Sequence, residues 1–312
     1  MAILESRSLN SIRSTFLRAK LDPDGRFRSS WHPIGTETFR LTSSKNAFYR
    51  GGPLQNVTDG KHTHSGRKLP NLRSCIVPDA GHRIYNCDLE RADLQVVVWE
   101  ADDDDLKQKI REHADIHSEN AKDVFGLDRA PTEQERHFAK TFVHGTNYGG
   151  KARTMAVNAN CTVHEADLAQ RRWFAAHPGI KRWHERVEAY LAGTRTVTNR
   201  FGFRRIYFDR VDGLLPEALA WIPQSTVSLV ISYMQMLIED ELGDMQETLM
   251  QGHDSLVGQY RIENEDKVLP MIHRLSKQVI VPYDDPLCIP LELALSDSSW
   301  GEVEKCPWPE AA

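Results

Sequence analysis

The chain has 312 residues, five cysteines and a formal net charge of -5. Its apolar and charged fractions suit a soluble globular protein of one large domain or two. Cys75, Cys87, Cys161, Cys288 and Cys306 are scattered with no CxxC, which argues for reduced thiols in a cytosolic setting and against a zinc cluster. No apolar run approaches the roughly 18 residues of a bilayer span, and the N-terminus lacks a signal-peptide core, so neither a membrane nor a secretory route is expected.

Charge is segregated. Residues 1–73 hold 13 Lys/Arg against 5 Asp/Glu, and residues 136–210 hold 14 against 5. Residues 74–135 hold 7 against 16, and residues 211–312 hold 5 against 18. Two basic stretches facing a polyanion, with the acidic ones facing solvent or metal, would produce this pattern.

In chain order, the sequence predicts a short basic helix from Ser6 to about Phe27, closed by the turn Asp22-Pro-Asp-Gly25. A strand is expected over Arg26–Trp31, then a polar stretch centred on Arg40. Residues 45–70 read as a surface loop, with His62 and His64 facing solvent. Arg73–Pro78 and Arg83–Asp88 read as strands, and Leu89–Glu100 as a helix. The run Asp102–Asp105 reads as a solvated turn or helix N-terminus in preference to a metal site. Asp115 opens a helix to about Phe125. Thr132 and Glu135 form a capping box for the next one, and helices continue to Tyr190, broken at His177-Pro-Gly179. Thr196–Phe208 reads as a hairpin and Pro216–Asp240 as a long apolar helix. Leu249–Val257 reads as a tight hairpin, 265–278 as a helix and Leu287–Leu295 as a last strand.

Within the capped helix, Arg136, Lys140, His144 and Tyr148 recur at steps of four and share one stripe. Two cations followed by two rings suit a triphosphate with a base attached, although a solvated helix carrying two charges has the same spacing. Asp88 and Asp254 each stand at the tip of an apolar strand. Singly they read as hairpin caps. Together they fit two carboxylates bridging a pair of divalent ions, with magnesium the natural occupant.

Those residues resemble a known family. Asp88-Leu-Glu-Arg-Ala-Asp-Leu-Gln95 is similar to motif A of the family A DNA polymerases, the DNA polymerase I type. Arg136-x3-Lys140-x3-His144-Gly145-x2-Tyr148-Gly149 resembles their motif B, and Gln251-Gly-His-Asp254 their motif C. Gly35-Thr-x-Thr-x-Arg40, Asp115-Ile-His117, His177-Pro-Gly179 and Pro223-Gln224 fall in the family's order. The resemblance covers nearly the whole chain, from about Arg13 to Gly301.

The resemblance implies an α+β right-hand polymerase, with an antiparallel palm sheet and a helical fingers insertion. The palm would occupy residues 1–100 (with a thumb remnant at 1–25) and 206–312, and the fingers 101–205. Asp88 and Asp254 would hold two Mg2+ ions, helped by the carbonyl of Leu89, and folding must bring the two acids within a few ångströms. His117, Arg136 and Lys140 would contact the incoming dNTP, with Lys140 giving a proton to the departing pyrophosphate. Tyr148 would lie at the templating position, and Asp93 and His144 by the sugar. Arg40, Gln224, Gln251 and His253 would touch the primer-template DNA in the minor groove or at the primer terminus.

Three departures bear on specificity. Asp93 stands where most of the family has Glu, His144 where it has Phe or Tyr, and Ser255 where Glu follows the motif C acid. The resemblance also begins where a thumb would be ending, and no proofreading site is evident. A distributive enzyme is therefore expected, or one needing a separate thumb, clamp or processivity factor. The alternatives are a catalytically weak primer-template-binding subunit and, further off, a single-subunit RNA polymerase. A cytoplasmic setting is implied (bacterial nucleoid or phage-infected host), with a phage or prophage replication protein as the expected source.

Overall fold

A computed structural model describes residues 2–60, 63–64, 67–208 and 213–309. Helix α1 (Ala2–Ile12) runs into a five-residue π-turn, Arg13–Leu17, and the chain reverses at Gly25. The predicted strand over Arg26–Trp31 is shorter and later: β1 is Ser30–His32, paired antiparallel with β2 (Thr42–Ser44). The expected loop 45–70 contains a two-residue hairpin, β3 (Thr63–His64) with β4 (Arg67–Lys68); His62 lies outside the described residues. Arg73–Pro78 is not a strand. Asn71 Oδ1 accepts the Arg73 N–H at 3.1 Å, and Leu72–Cys75 closes into a 3-10 turn, because an Asn side chain competes for backbone donors.

β5 (His82–Leu89) is followed by α2 (Ala92–Ala101), entered through Arg91 in the left-handed region. α3 (Asp104–Arg111) is N-capped by Asp103 and α4 (Ile116–Phe125) by Asp115. α5 (Glu133–Asn147) begins at the Thr132/Glu135 capping box and ends before Gly149-Gly150. α6 (Ala152–Ala159), α7 (Val163–Ala176) and α8 (Pro178–Thr194) follow, then the hairpin β6 (Thr196–Thr198) and β7 (Arg204–Ile206). α9 (Leu215–Leu242) contains Pro223. β8 (Gln246–Gln251), β9 (Ser255–Arg261) and α10 (Glu265–Ser276) match the expected hairpin and helix. The predicted last strand is interrupted at Pro290, which has no N–H for a ladder. After β10 (Ile280–Val281) come β11 (Leu287–Cys288) and β12 (Leu291–Ser296), and β13 (Glu304–Cys306) adds an unpredicted edge.

The chain forms two compact units. The first comprises Met1–Glu90, Ser228–Ile280 and Cys288–Ala312. Its centre is a five-stranded antiparallel sheet ordered β13-β12-β5-β9-β8. Ile84 and Val257 pack on one face with Ile12, Leu72, Met250 and Trp300. Tyr85 faces the other way and lies against Gly258, its register partner. A Cβ there would stand 2.3 Å from the phenol ring, so no larger residue fits. This antiparallel sheet is the one expected of the α+β class.

The second unit, Arg91–Val227 with Val281–Leu287, is mainly helical. Phe142, Trp173, Trp183 and Ile180 are fully buried, and Trp173 Nε1 donates to Asn147 Oδ1 at 2.9 Å. Within it, buried His177 lies 3.2 Å from Asp103 Oδ2 and 3.1 Å from Asp123 Oδ2, through its two ring nitrogens. Both contacts are hydrogen bonds only when both nitrogens carry protons. Burial opposes that charge, but the two carboxylates outweigh it, and the His177 pKa is raised. Asp103, Asp105 and His177 also come close enough to hold a metal. The ammonium of Lys109 stands there instead, 2.7 Å from Asp105 and 3.7 Å from Asp123. Asp103 thus caps α3, the helix N-terminus expected of the acidic run, and Asp105 is ion-paired to Lys109.

A raised folded-state pKa adds stability that is complete below the unfolded value and disappears as pH rises through the folded one. His177→Gln should accordingly cost about 2 kcal/mol at pH 6, with the gap from wild type closing as pH rises above neutrality. Thermal midpoints of both proteins across pH 5.5 to 9 check this. A gap that widens with pH would mean the imidazole is neutral in the fold.

Candidate active site

In the sheet unit, β5 and β9 pair so that Asp88 stands opposite Ser255, and the Leu89 N–H donates to the Asp254 carbonyl at 2.8 Å. The tight turn that holds this register is closed by Gly252 N–H to the Ser255 carbonyl at 2.7 Å. Two acids 166 positions apart in sequence are therefore neighbours at one end of the sheet. Asp88 is half-buried and Asp254 exposed. Burial, and then the charge of Asp254, raise the Asp88 pKa, while hydrogen bonds from Asn86 and Ser255 partly offset them.

Asn86 was not expected from sequence, yet it fixes Asp88. Its Nδ2 donates to Asp88 Oδ2 at 2.6 Å, and its own Oδ1 accepts from Trp300 Nε1 at 3.1 Å. The indole bond sets which way the amide faces, so the NH2 end must point at the carboxylate. Both Asn86 and Trp300 are more than nine-tenths buried, and the Arg73 guanidinium lies 4.2 Å over the Trp300 ring. A same-face position two residues before Asp88 is a readable signal for Asn86. Trp300 has no local signal.

Around the same hairpin, Gln251 is buried and donates Nε2 to Ser232 Oγ at 3.1 Å, while its carbonyl accepts from Gln55 Nε2 at 2.9 Å. Arg40 is half-buried, with its Nε buried and making no hydrogen bond among the described residues. His253 is exposed at the turn.

In the helical unit, Asp93, His117, Lys140, His144 and Tyr148 line one cavity of about 330 Å³. The stripe read from sequence is thus real from Lys140 to Tyr148. The His144 and Tyr148 rings meet edge to face at 4.7 Å. Lys140 is exposed and makes no ion pair among the described residues. His117 Nδ1 is buried without a hydrogen-bond partner among the described residues. Burial, then the charges of Lys140, Arg136 and Arg91, pull the His117 pKa down to about 4. Its imidazole is neutral at physiological pH and can donate or accept.

Arg136 differs from the other members of the stripe. Its Nε and Nη2 fork onto Asp115 at 2.9 and 3.1 Å, and that carboxylate also caps α4 through the His117 and Ser118 N–H groups. The fork holds the Asp115 carboxyl well below the usual range. Gln224 is half-buried on α9, next to Pro223.

Residues 1–302 match the family model for DNA polymerase family A. The chain belongs to DNA polymerase family A. It is 27% identical over 317 residues to DNA polymerase I of Pseudomonas aeruginosa, covering 96% of this chain and 33% of the relative. The thermostable DNA polymerase I of Thermus filiformis is also 27% identical, over 97% of this chain and 36% of its own length. That of Treponema pallidum is 30% identical over 214 residues, 67% of this chain and 20% of the relative. The chain thus spans about a third of the Pseudomonas and Thermus relatives.

Among solved structures, the POL domain of Pol1 from M. smegmatis, in complex with DNA primer-template and dNTP, superposes with a TM-score of 0.78. That likeness covers 90% of this chain and 49% of the other at 19% identity, and it establishes the family A polymerase fold. The expected class and family therefore stand. No helix among the described residues is long and apolar enough to cross a membrane.

Proposed function

We propose that this chain is the nucleotidyl-transfer portion of a DNA-templated DNA polymerase, adding dNMP to a primer 3′-OH. The sheet unit would serve as palm and the helical unit as fingers. The observation that carries this reading is the placement of Asp88, on β5, beside Asp254, in the turn that enters the adjacent strand β9. Two hard carboxylates, one raised toward protonation by burial and by its neighbour's charge, are a donor set that divalent cations fit. Asp88, Asp254 and the Leu89 carbonyl would hold two Mg2+, which when bound neutralise phosphate charge and acidify a hydroxyl for in-line transfer.

The side chains of the chain do the rest. Lys140 would neutralise the triphosphate and release a proton to the leaving pyrophosphate. Neutral His117 would donate to a phosphate oxygen, and Arg136 would add a second cation. The His144–Tyr148 pair would meet the sugar, the base and the templating position. Arg40, Gln224, Gln251 and His253 would bear on the minor groove and primer terminus, the last two by shaping the hairpin that carries Asp254.

The test is magnesium-dependent incorporation on a primed template by the purified chain, with dNTPs and rNTPs in parallel. Absence of incorporation by an otherwise folded, DNA-binding chain would leave only a binding subunit. Asp93 lines the cavity and, one methylene short of glutamate, would leave room for a sugar 2′-OH. Asp93→Glu should raise the dNTP-over-rNTP ratio of kcat/KM about tenfold, the scale of one methylene in a packed pocket. An unchanged ratio would place sugar selection elsewhere.

Trp300→Phe keeps an aromatic ring beneath Arg73 and removes the N–H to Asn86 together with part of the indole's volume. Loss of an outer partner of a metal-binding carboxylate typically costs about tenfold or more in metal affinity. Trp300→Phe should weaken Mn2+ binding by about tenfold, read by electron paramagnetic resonance, alongside a modest fall in thermal midpoint from the lost ring volume. A lowered midpoint with unchanged Mn2+ affinity would reduce Trp300 to packing.

A further inference from the structure

In the sheet unit, residues 46–51 form a turn that presents two aromatic rings outward. Phe48 is 78% exposed and Tyr49 82%. Such exposure is costly for large apolar rings, and here the backbone is strained as well: Tyr49 sits at φ 58°, where a bulky side chain is a true outlier.

The turn is nevertheless firmly built. Asn46 Oδ1 accepts from the Phe48 and Arg50 N–H groups at 3.0 Å each, and Asn46 Nδ2 donates to Asp22 Oδ1 at 3.1 Å. Tyr49 N–H donates to the Asn46 carbonyl at 2.9 Å, and Gly51 N–H to the Lys20 carbonyl at 2.8 Å. Gly51 (φ 63°) is pressed so close to Arg28 that a Cβ would collide with its carbonyl oxygen. The rings are held out by structure, at the expense of strain, and are not on a slack loop.

Charge selects the occupant. Asp22, which Asn46 touches, and Asp24 are both bridged by Arg28. Lys20, Lys45 and Arg50 flank the rings and make no ion pair among the described residues. The whole stretch 1–73 carries 13 Lys/Arg against 5 Asp/Glu. Exposed rings interleaved with uncompensated cations suit a strand that offers base faces and phosphates together. Within a duplex the bases are stacked on one another and present no free face, so the fitting partner is unpaired nucleic acid.

We propose that Phe48 and Tyr49 form a stacking platform for unpaired nucleotides of the template strand, with Lys45, Arg50 and Lys20 on its phosphates. This rests on the template-directed reading above and adds a contact surface built from residues that reading does not use, eight positions beyond Arg40.

The test is fluorescence anisotropy of the full chain with three probes: a single-stranded oligothymidylate, a blunt duplex, and a primer-template with a 5′ overhang. The variants are Phe48→Ala, Tyr49→Gly and both together. Glycine adopts a positive φ without clash, so Tyr49→Gly should fold at least as stably as wild type, which a thermal midpoint verifies. Stacking is worth about 1–3 kcal/mol per base on alanine substitution, or about 5- to 150-fold. The double variant should lose 10- to 100-fold on the overhang and single-stranded probes and almost nothing on the blunt duplex. Lys45→Ala should reduce the salt slope for the single strand by about 0.7.

Two results overturn the proposal: a double variant that binds all three probes like wild type, which would leave the rings to a protein contact, or one that loses blunt duplex equally. Incorporation assays separate this from the parent reading. A wild type that binds overhangs through these rings yet incorporates nothing would sink the polymerase reading alone. A wild type that incorporates normally while the variants bind unchanged would sink the platform alone.

Discussion

Asp254→Ala should abolish nucleotide incorporation, by about a thousandfold or more, while leaving primer-template affinity within a few-fold of wild type. The magnitude follows from removing one of two carboxylates that would hold the cations, a loss on the order of 4 kcal/mol of transition-state stabilisation. Binding survives because DNA affinity is dominated by phosphate contacts, which Asp254 does not make. The same substitution should raise the thermal midpoint of the metal-free protein. Asp88 is half-buried, with its pKa raised first by burial and then by the charge of Asp254. Removing that charge relieves a repulsion present only when both acids are ionised, so the gain should be larger at pH 8 than at pH 4. Calorimetry with and without Mg2+ separates the effects: Mg2+ should stabilise wild type and do little for the variant. A variant that retains incorporation, or a midpoint lowered at pH 8 without metal, would remove the physical basis for reading these two acids as the catalytic pair.

How much of this was legible in the chain depends on the range over which each determinant acts. The Thr132/Glu135 box, the tight hairpin within Leu249–Val257 and the break at His177-Pro-Gly179 are legible because each is decided within a few residues. The juxtaposition of Asp88 and Asp254 needed the family resemblance, since no local rule joins residues 166 positions apart. The strand expected over Arg73–Pro78 does not form, because Asn71 turns the backbone into Leu72–Cys75 before β propensity can act. The edge strand Glu304–Cys306 was missed because its pairing with β12, and not its own pattern, makes it a strand. Gln251, expected at the DNA, is turned inward to Ser232, a partner 19 residues away. The support of Asp88 by Asn86 and Trp300 spans 214 positions and is a property of packing alone.

The two cations of the motif B stripe should prove unequal, and the structure says in which order. Lys140 is exposed at the cavity that holds His117, His144 and Tyr148, and it makes no ion pair among the described residues. Arg136 already gives two hydrogen bonds to Asp115. To serve a triphosphate it must share or surrender a bidentate carboxylate, so part of its interaction energy replaces one already present. Lys140→Ala should therefore lower kcat/KM by a hundredfold or more, about 3 kcal/mol, with most of the loss in kcat if it also supplies the proton. Arg136→Ala should cost about tenfold, mainly in KM. Arg136→Lys should not rescue it, because an ammonium cannot make the planar fork. His117 supplies an independent readout. Its pKa is held at about 4 first by burial and then by Lys140, so Lys140→Ala should shift it upward, visible in the pH titration of its ring protons by NMR. If Arg136→Ala is the more damaging substitution, the Asp115 fork must open completely when nucleotide binds, and α4 would then lose the charge of its cap to the arriving phosphates. That outcome would make Asp115 the hinge of fingers closure, and Asp115→Asn, which keeps a capping oxygen but loosens the fork, should then lower KM for dNTP.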